Sequence, residues 1–356
     1  MRLLERPVKI SISKSTKRSI YKAAISIGLA LIATSILFLA TGANPLLAYY
    51  YILYGAFGNV NLFIETLVRT TPILLVSLGL AVVFKAKVWN IGAEGQLYMG
   101  AMMGTIAAIS IGNTPVALIV GILAAILGGM AWASIPALMK TKLGINEVIT
   151  TFLMNYVAIY LVQWLLAFPF RGGDSLFPES SRLPAAAILP YLWPPTRLHL
   201  GVLLALLVAL PIIYFLMNRT TFGYKLKAVG ENPEAARYGG INVKKTIFLA
   251  LIVSGAMAGI AGFFEVSGLQ FRMRSSLSPG YGYTGIVVAL LGANNPIGVV
   301  LSSIFLAAIY NGASTMSRVM NQPQGIVDFM QGVLIIFVLG SEYIIRYLEK
   351  KGVVRI

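Results

Sequence analysis

Val88–Gly100 reads VWNIGAEGQLYMG. Lys85 and Lys87 precede it, and the run Gly95–Met139 that opens within it carries no charge. That run is too long for one membrane crossing, which takes about 20 apolar residues. The whole chain is 58% hydrophobic and 11% charged, where a soluble domain carries about 25% charge. The fold class is therefore an all-α polytopic membrane protein, because barrels show short alternating segments instead of charge-free runs. Within this setting Glu94 stands with Asn90, Gln96 and three glycines. It reads either as a solvated or structural group just past Lys87, or as part of an unwound joint that lines a pathway. Irregular backbone survives at membrane depth only where it lines a cavity or is buried in protein, and the second reading is favoured.

Outward from this stretch the chain divides at polar and Gly/Pro breaks. Ala23–Ala40 predicts a first span; it exceeds a signal h-region and reads as retained. Asn44-Pro45 breaks it, and Tyr49–Tyr54 suggests an interfacial segment. Thr70–Phe84 predicts a short second span. Gly112-Asn113-Thr114-Pro115 cuts Gly95–Met139 into two helices. Val148–Phe168, Leu200–Met217, Thr246–Phe264, a half-helix at Tyr283–Leu291, Pro296–Asn311 and Val327–Tyr347 follow. The expectation is about ten transmembrane helices, some short or broken. The Gly/Pro-interrupted regions fall in both halves, as in transporters built from two pseudo-symmetric repeats around a central site.

The chain carries a net charge of +16, and the placement of the charges explains it. Basic residues gather in Arg2–Lys22, at Lys85/Lys87, at Lys140/Lys142, in Arg219–Lys245 and in Arg346–Arg355, which the positive-inside rule places on the cytoplasmic face. Both termini are then cytoplasmic: residues 1–22 form a basic N-terminus, 218–245 a cytoplasmic loop, and 169–198 an external loop of mixed charge. No stacking or groove-reading motif accompanies the positive charge, so nucleic acid is not an expected partner. Absence of cysteine excludes thiol chemistry and thiolate metal sites. His199 is the one histidine, so no multi-histidine metal centre is expected, and no nucleophile–base–acid set suggests an enzyme.

The sharpest local feature is GENPEAARYGGI, residues 230–241. Asn232 suits an N-cap and Pro233 the first helical position. Glu234 and Arg237 complement the dipole at the two ends, and Gly239 with Gly240 stops the helix. The result is a short capped helix in the cytoplasm, either an ordinary surface helix or a docking element for a partner. Elsewhere, Asn146 and Glu147 open the fifth span and suit a helix cap as well as a pathway. Asn155 lies deeper, suited equally to a pathway and to an interhelical bond. Trp89 and Trp164 suit a stacking platform, although tryptophan is common at membrane interfaces. At the outer end of the seventh span, Glu265 and Gln270 suit a gate or receptor contact, against plain solvation.

The loop around Gly230, Glu231, Asn232, Pro233, Glu234, Ala235, Ala236, Arg237 and Gly239 resembles the EAA-type coupling loop of ABC importer permeases. VWNIGAEGQLYMGA resembles the characteristic segment of the nucleoside and simple-sugar permease family, its nucleoside branch in particular. Asn146–Thr151 leading into Leu153-Met154-Asn155-Tyr156, the stretch Gly282–Ile286 and the Gly292–Pro296 break fit the same pattern in the right order. The resemblance implies one permease domain over residues 1–356 in the cell membrane, carrying nucleosides inward by alternating access. It implies a separate cytoplasmic ATPase gripping the 230–239 helix, a second permease subunit (often a different chain), and an external lipoprotein or periplasmic receptor. ATP and magnesium would bind the ATPase, since this chain has no Gly-Lys dipeptide and hence no phosphate-cradling loop; no cofactor and no metal is expected here. On this reading Trp89, Asn90, Glu94, Gln96, Asn146, Glu147 and Asn155 line the substrate pathway. A pentose or hexose permease is the alternative within the class. An ion-coupled secondary transporter is the alternative outside it, and it would have no need of the capped helix.

Overall fold

The computed structural model describes residues 14–173 and 177–323, with scattered positions beyond 324. Residues 1–13, Asp174 and much of the expected last span at 327–347 lie outside the described residues, so the sides on which the termini lie remain expectations. The described chain is helical, with two isolated β-bridges in the long loop. In chain order the helices are α1 (Lys14–Ala40), α2 (Pro45–Phe57), α3 (Val60–Lys85), α4 (Ala93–Ile111), α5 (Ala117–Leu143) and α6 (Glu147–Ala167). They continue as α7 (Leu200–Arg219), α8 (Thr221–Glu231), α9 (Pro233–Tyr238), α10 (Val243–Gln270), α11 (Tyr281–Leu291) and α12 (Pro296–Val319).

Six of these helices are long and apolar enough to cross a membrane, seven if α1 and α2, bent by 117° at the Thr41–Asn44 break, count as one. That supports a multi-pass membrane protein; the described residues do not reach the expected count of about ten. Helix α4 and the 11-residue α11 fall short as independent spans. The Gly112–Pro115 cut and the 292–296 break are where the sequence places them.

Helix α3 differs from its expectation. It begins at Val60, ahead of Thr70, with Asn59 capping Leu62 N–H at 2.9 Å. Glu65 and Arg69, which precede the expected span, lie inside the helix, and each meets a partner from another element. Arg197 grips Glu65 with two nitrogens, and the Arg69 guanidinium lies 5.4 Å from the Tyr310 ring centroid. A paired charge loses most of the penalty that ends an apolar helix in a hydropathy reading.

Around the buried α3, helices α10, α5 and α4 form the core, and α12 packs on α2 and α3. Small residues at the α5–α10 crossing, Gly129 and Gly255 among them, let the backbones approach closely, as in membrane helix pairs generally. Asn311 of α12 ties three elements together: its Nδ2 donates to Gly55 O, Leu62 O and Thr66 Oγ1, each at 3.1 Å. The ends of α3 and α5 carrying Lys85, Lys140 and Lys142 define a basic end of the bundle. The loop 177–198 and the end of α10 lie at the far end. That loop is packed, with Leu183, Ala187 and Leu189 buried and Glu179 held by Arg272 and Arg274 at 3.5 and 3.0 Å.

Candidate functional site

The chain leaves α3 at Ala86, passes through Lys87 with a positive φ of 54°, and re-enters the bundle as the irregular stretch Val88–Gly92. Unpaired backbone is costly in such a place; two side chains of α6 satisfy it, together with Asn90 Oδ1, which accepts from Gly92 N at 3.0 Å. Asn155 Oδ1 accepts from Gly95 N at 2.8 Å, and its Nδ2 donates to Ile91 O at 2.7 Å and to Tyr283 OH at 3.2 Å. Thr151 Oγ1 accepts from Ile91 N at 3.1 Å. Asn90 and Gln96 exchange amide hydrogen bonds of 3.0 and 3.2 Å, and Asn90 also donates to Ser254 Oγ at 3.0 Å. One amide pair thus spans the joint and anchors it to the middle of α10.

Glu94 lies in the first turn of α4, 2% exposed. Its Oε2 accepts from Gly282 N at 2.6 Å. Helix α11 begins at Tyr281 after Gly280, which has no side chain to cap it; Ser278 Oγ takes the Gly280 and Tyr281 N–H groups at 3.1 and 2.9 Å, and the Gly282 N–H is left for Glu94. Glu94 therefore supplies from another element the acceptor that an N-cap residue supplies locally, and its charge faces the positive ends of two half-helices. Gly282 is needed for this approach, since any Cβ there would overlap the Glu94 backbone nitrogen. Tyr98 extends the arrangement by donating to Ser275 O at 3.2 Å and accepting from Ser278 N at 3.3 Å.

Asn90, Glu94, Gln96 and Asn155, all expected along the pathway, are thus brought together in one buried network. The other three stand outside it. Trp89 is 40% exposed, its ring 5.2 Å from that of Phe84. Asn146 caps α6 by accepting from Val148 N at 2.9 Å, and Glu147 pairs with Lys140 at 2.6 Å. Ser254, Thr151, Ser278 and Tyr283 complete the network. Thr151 and Tyr283 fall in the stretches Asn146–Thr151 and Gly282–Ile286 noted in the sequence, whereas no local pattern marks Ser254 and Ser278.

At the basic end the short capped helix lies where the sequence places it, as α9, and α8 runs into it, so that Gly230 and Glu231 fall in α8. Gly230 and Glu231 close α8, and Asn232 both ends α8 and caps α9, accepting from Glu234 N at 2.9 Å and Ala235 N at 3.1 Å. Only Ala236 of α9 is buried, and Tyr238 is 94% exposed. Gly230 meets the carbonyl of Lys85, where a Cβ would not fit, so this double helix seats against the end of α3 immediately before the joint.

At the far end a cavity of about 560 Å³ opens between α3, the end of α10 and Tyr281 of α11. Glu65, Arg69, Arg197, Glu265 and Gln270 line it. Plain solvation, one of the readings of Glu265, does not hold: the side chain is buried. Beside this end, His199 caps α7 through Nδ1, which accepts from Gly201 N at 3.2 Å. Burial pushes its pKa down to about 4. Among the described residues no group of acidic and histidine side chains could hold a metal ion.

The match to known proteins runs along nearly the whole of this architecture. Residues 62–339 match the model of the branched-chain amino acid transport system / permease component family. The chain is 35% identical to the guanosine ABC transporter permease protein NupP of Bacillus subtilis, covering 92% of this chain and 96% of the relative. It is 30% identical to the nucleoside ABC transporter permease protein NupB of Lactococcus lactis subsp. cremoris, over 89% and 90%. It is 37% identical to the glucose ABC transporter permease protein TsgB13 of Haloferax volcanii, over 80% and 77%. No solved structure matches. This chain belongs to the family of branched-chain amino acid transport system permease components.

Proposed function

We propose that this chain is the cell-membrane permease subunit of an ATP-binding-cassette importer that moves nucleosides inward by alternating access. The observation that carries the substrate is the near end-to-end likeness to two relatives named for nucleosides. A separate cytoplasmic ATPase binds ATP and magnesium and grips α9, whose capped turn and exposed Tyr238 suit docking into a groove. From there the contact of Gly230 with the Lys85 carbonyl carries movement into α3 and the joint. A second permease, of different sequence, completes the pore, and an external receptor delivers the nucleoside. In this reading Asn90, Glu94, Gln96 and Asn155 frame the pathway from behind, holding α4 and α11 in register. Trp89 and the Asn146–Glu147 corner lie at its basic mouth.

The test is uptake of labelled guanosine and uridine by the reconstituted complex, with ribose, galactose and glucose as competitors. Saturable nucleoside uptake that sugars fail to suppress is the expected result. Glucose uptake without nucleoside uptake would overturn the substrate and favour the second reading, a sugar permease, which the likeness to the glucose permease supports.

A further inference from the structure

Most buried polar groups among the described residues have partners; of the side-chain atoms that lack one, which include Thr105 Oγ1 and Asn294 Oδ1, two belong to residues that line the far-end cavity. Glu265 is 7% exposed and lines the cavity. Its Oε1 accepts from Gln270 Nε2 at 3.3 Å, while Oε2 has no partner. Gln270 Oε1 is also without a partner, its Nε2 being shared with Leu277 O at 2.8 Å. Two unsatisfied acceptors side by side are costly, and each calls for an explanation. The backbone is arranged to put them there. Helix α10 widens into a π turn over Val266–Gln270 and then stops at Phe271 with φ 58°. The wider turn sets residue 270 against residue 265, and such turns occur often at functional sites.

The charges around the cavity restrict what can supply the missing donors. Arg197 and Arg274 are held by Glu65 and Glu179, and Arg69 lies over Tyr310. An anionic solute would meet the unpaired carboxylate oxygen, and a cation would meet the surrounding guanidinium groups. A neutral solute with adjacent hydroxyls has neither difficulty. Its two O–H groups donate to Glu265 Oε2 and Gln270 Oε1, and its oxygens accept from Arg69. The volume of about 560 Å³ falls within the roughly 300–1,000 Å³ of small-molecule sites.

We infer that this cavity receives the vicinal diol of a sugar ring, with Glu265 and Gln270 as the acceptors and Arg69 as the donor. The inference rests on the importer reading but not on the choice between nucleoside and sugar, since ribonucleosides and glucose both carry vicinal diols. It predicts that the permease itself, and not only its receptor, recognises the hydroxyls.

The experiment is uptake of uridine and of 2′,3′-dideoxyuridine by the full complex carrying wild-type or Glu265→Gln permease, with the same receptor throughout. Receptor preference then cancels in the ratio of ratios. Loss of a charge-assisted bond to the diol is expected to lower uridine uptake relative to the dideoxy analogue by about tenfold. An unchanged ratio, with both substrates losing equally, would overturn the inference and leave Glu265 a structural or water-bound group. If the variant does not assemble, Gln270→Leu reads the same ratio by removing the second acceptor. If no nucleoside is carried, the substrate proposed above falls separately, and glucose against 2-deoxyglucose reads the diol by the same comparison.

Discussion

Replacing Glu94 separates a lock from a cargo ligand. The carboxylate accepts from Gly282 N at 2.6 Å in a buried site, and hydrogen bonds to charged groups contribute about 1.5–3 kcal/mol against about 0.5–1.5 for neutral ones. Glu94→Gln keeps an acceptor of the same shape and loses the charge, so it should cost about 1–1.5 kcal/mol. Glu94→Ala leaves the buried Gly282 N–H without its acceptor, at about 1–3 kcal/mol, and removes one buried methylene at about 0.8 kcal/mol. The sum is about 2–4 kcal/mol. Gly282→Ala retains the carboxylate but drives the two backbones apart, and should resemble Glu94→Ala.

The assay is thermal stability of the purified complex alongside nucleoside uptake by the same preparations. Stability should fall in the order wild type, Glu94→Gln, Glu94→Ala, with uptake per folded complex largely retained in Glu94→Gln. Abolished uptake in Glu94→Gln at wild-type stability would refute the lock, since only a carboxylate acting on cargo loses function without loosening the helices.

Three further outcomes follow. Ala235→Pro removes an N–H that Asn232 caps at 3.1 Å and disfavours helical geometry at Glu234; it should abolish uptake with membrane insertion intact, and normal uptake would remove α9 from the coupling role. Asn311→Leu breaks three hydrogen bonds and takes the Asn311 donor from the Gly55 carbonyl, while Leu62 O keeps Thr66 Oγ1 at 3.1 Å; a destabilisation of about 1–3 kcal/mol should appear in thermal unfolding. His199 is held neutral in the fold, its pKa lowered to about 4 from 6.5 by burial. Its contribution is present above about pH 6.5 and lost as pH falls toward 4, about 3 kcal/mol at most. His199→Asn, which preserves a capping side chain, should flatten the stability profile across that window.

The breaks in this fold are legible in sequence because their causes are local. Asn44-Pro45, Gly112–Pro115, Asn232-Pro233 and Asn295-Pro296 each join a capping side chain or a glycine to a residue that cannot continue a helix. The start of α3 was not legible, because Glu65 and Arg69 look like a helix boundary until Arg197 and Tyr310 are placed beside them. Contacts between distant residues are hidden for the same reason. Nothing near Glu94 points to Gly282, 188 positions away.

Charge alone singles out Glu94 and Glu265 equally as ionisable groups among apolar residues, and the hydrogen-bond inventory separates them. The Glu94 carboxylate is taken up by Gly282 N, and its neighbours Asn90, Gln96 and Asn155 bond to backbone and to further side chains. Such a network specifies one arrangement of helices and leaves little capacity for a solute. Glu265 and Gln270 each retain an acceptor with no protein partner, on the wall of a cavity. For a transporter, unspent hydrogen-bonding capacity is the better marker of where cargo is handled, and spent capacity marks what must hold its shape while the rest moves.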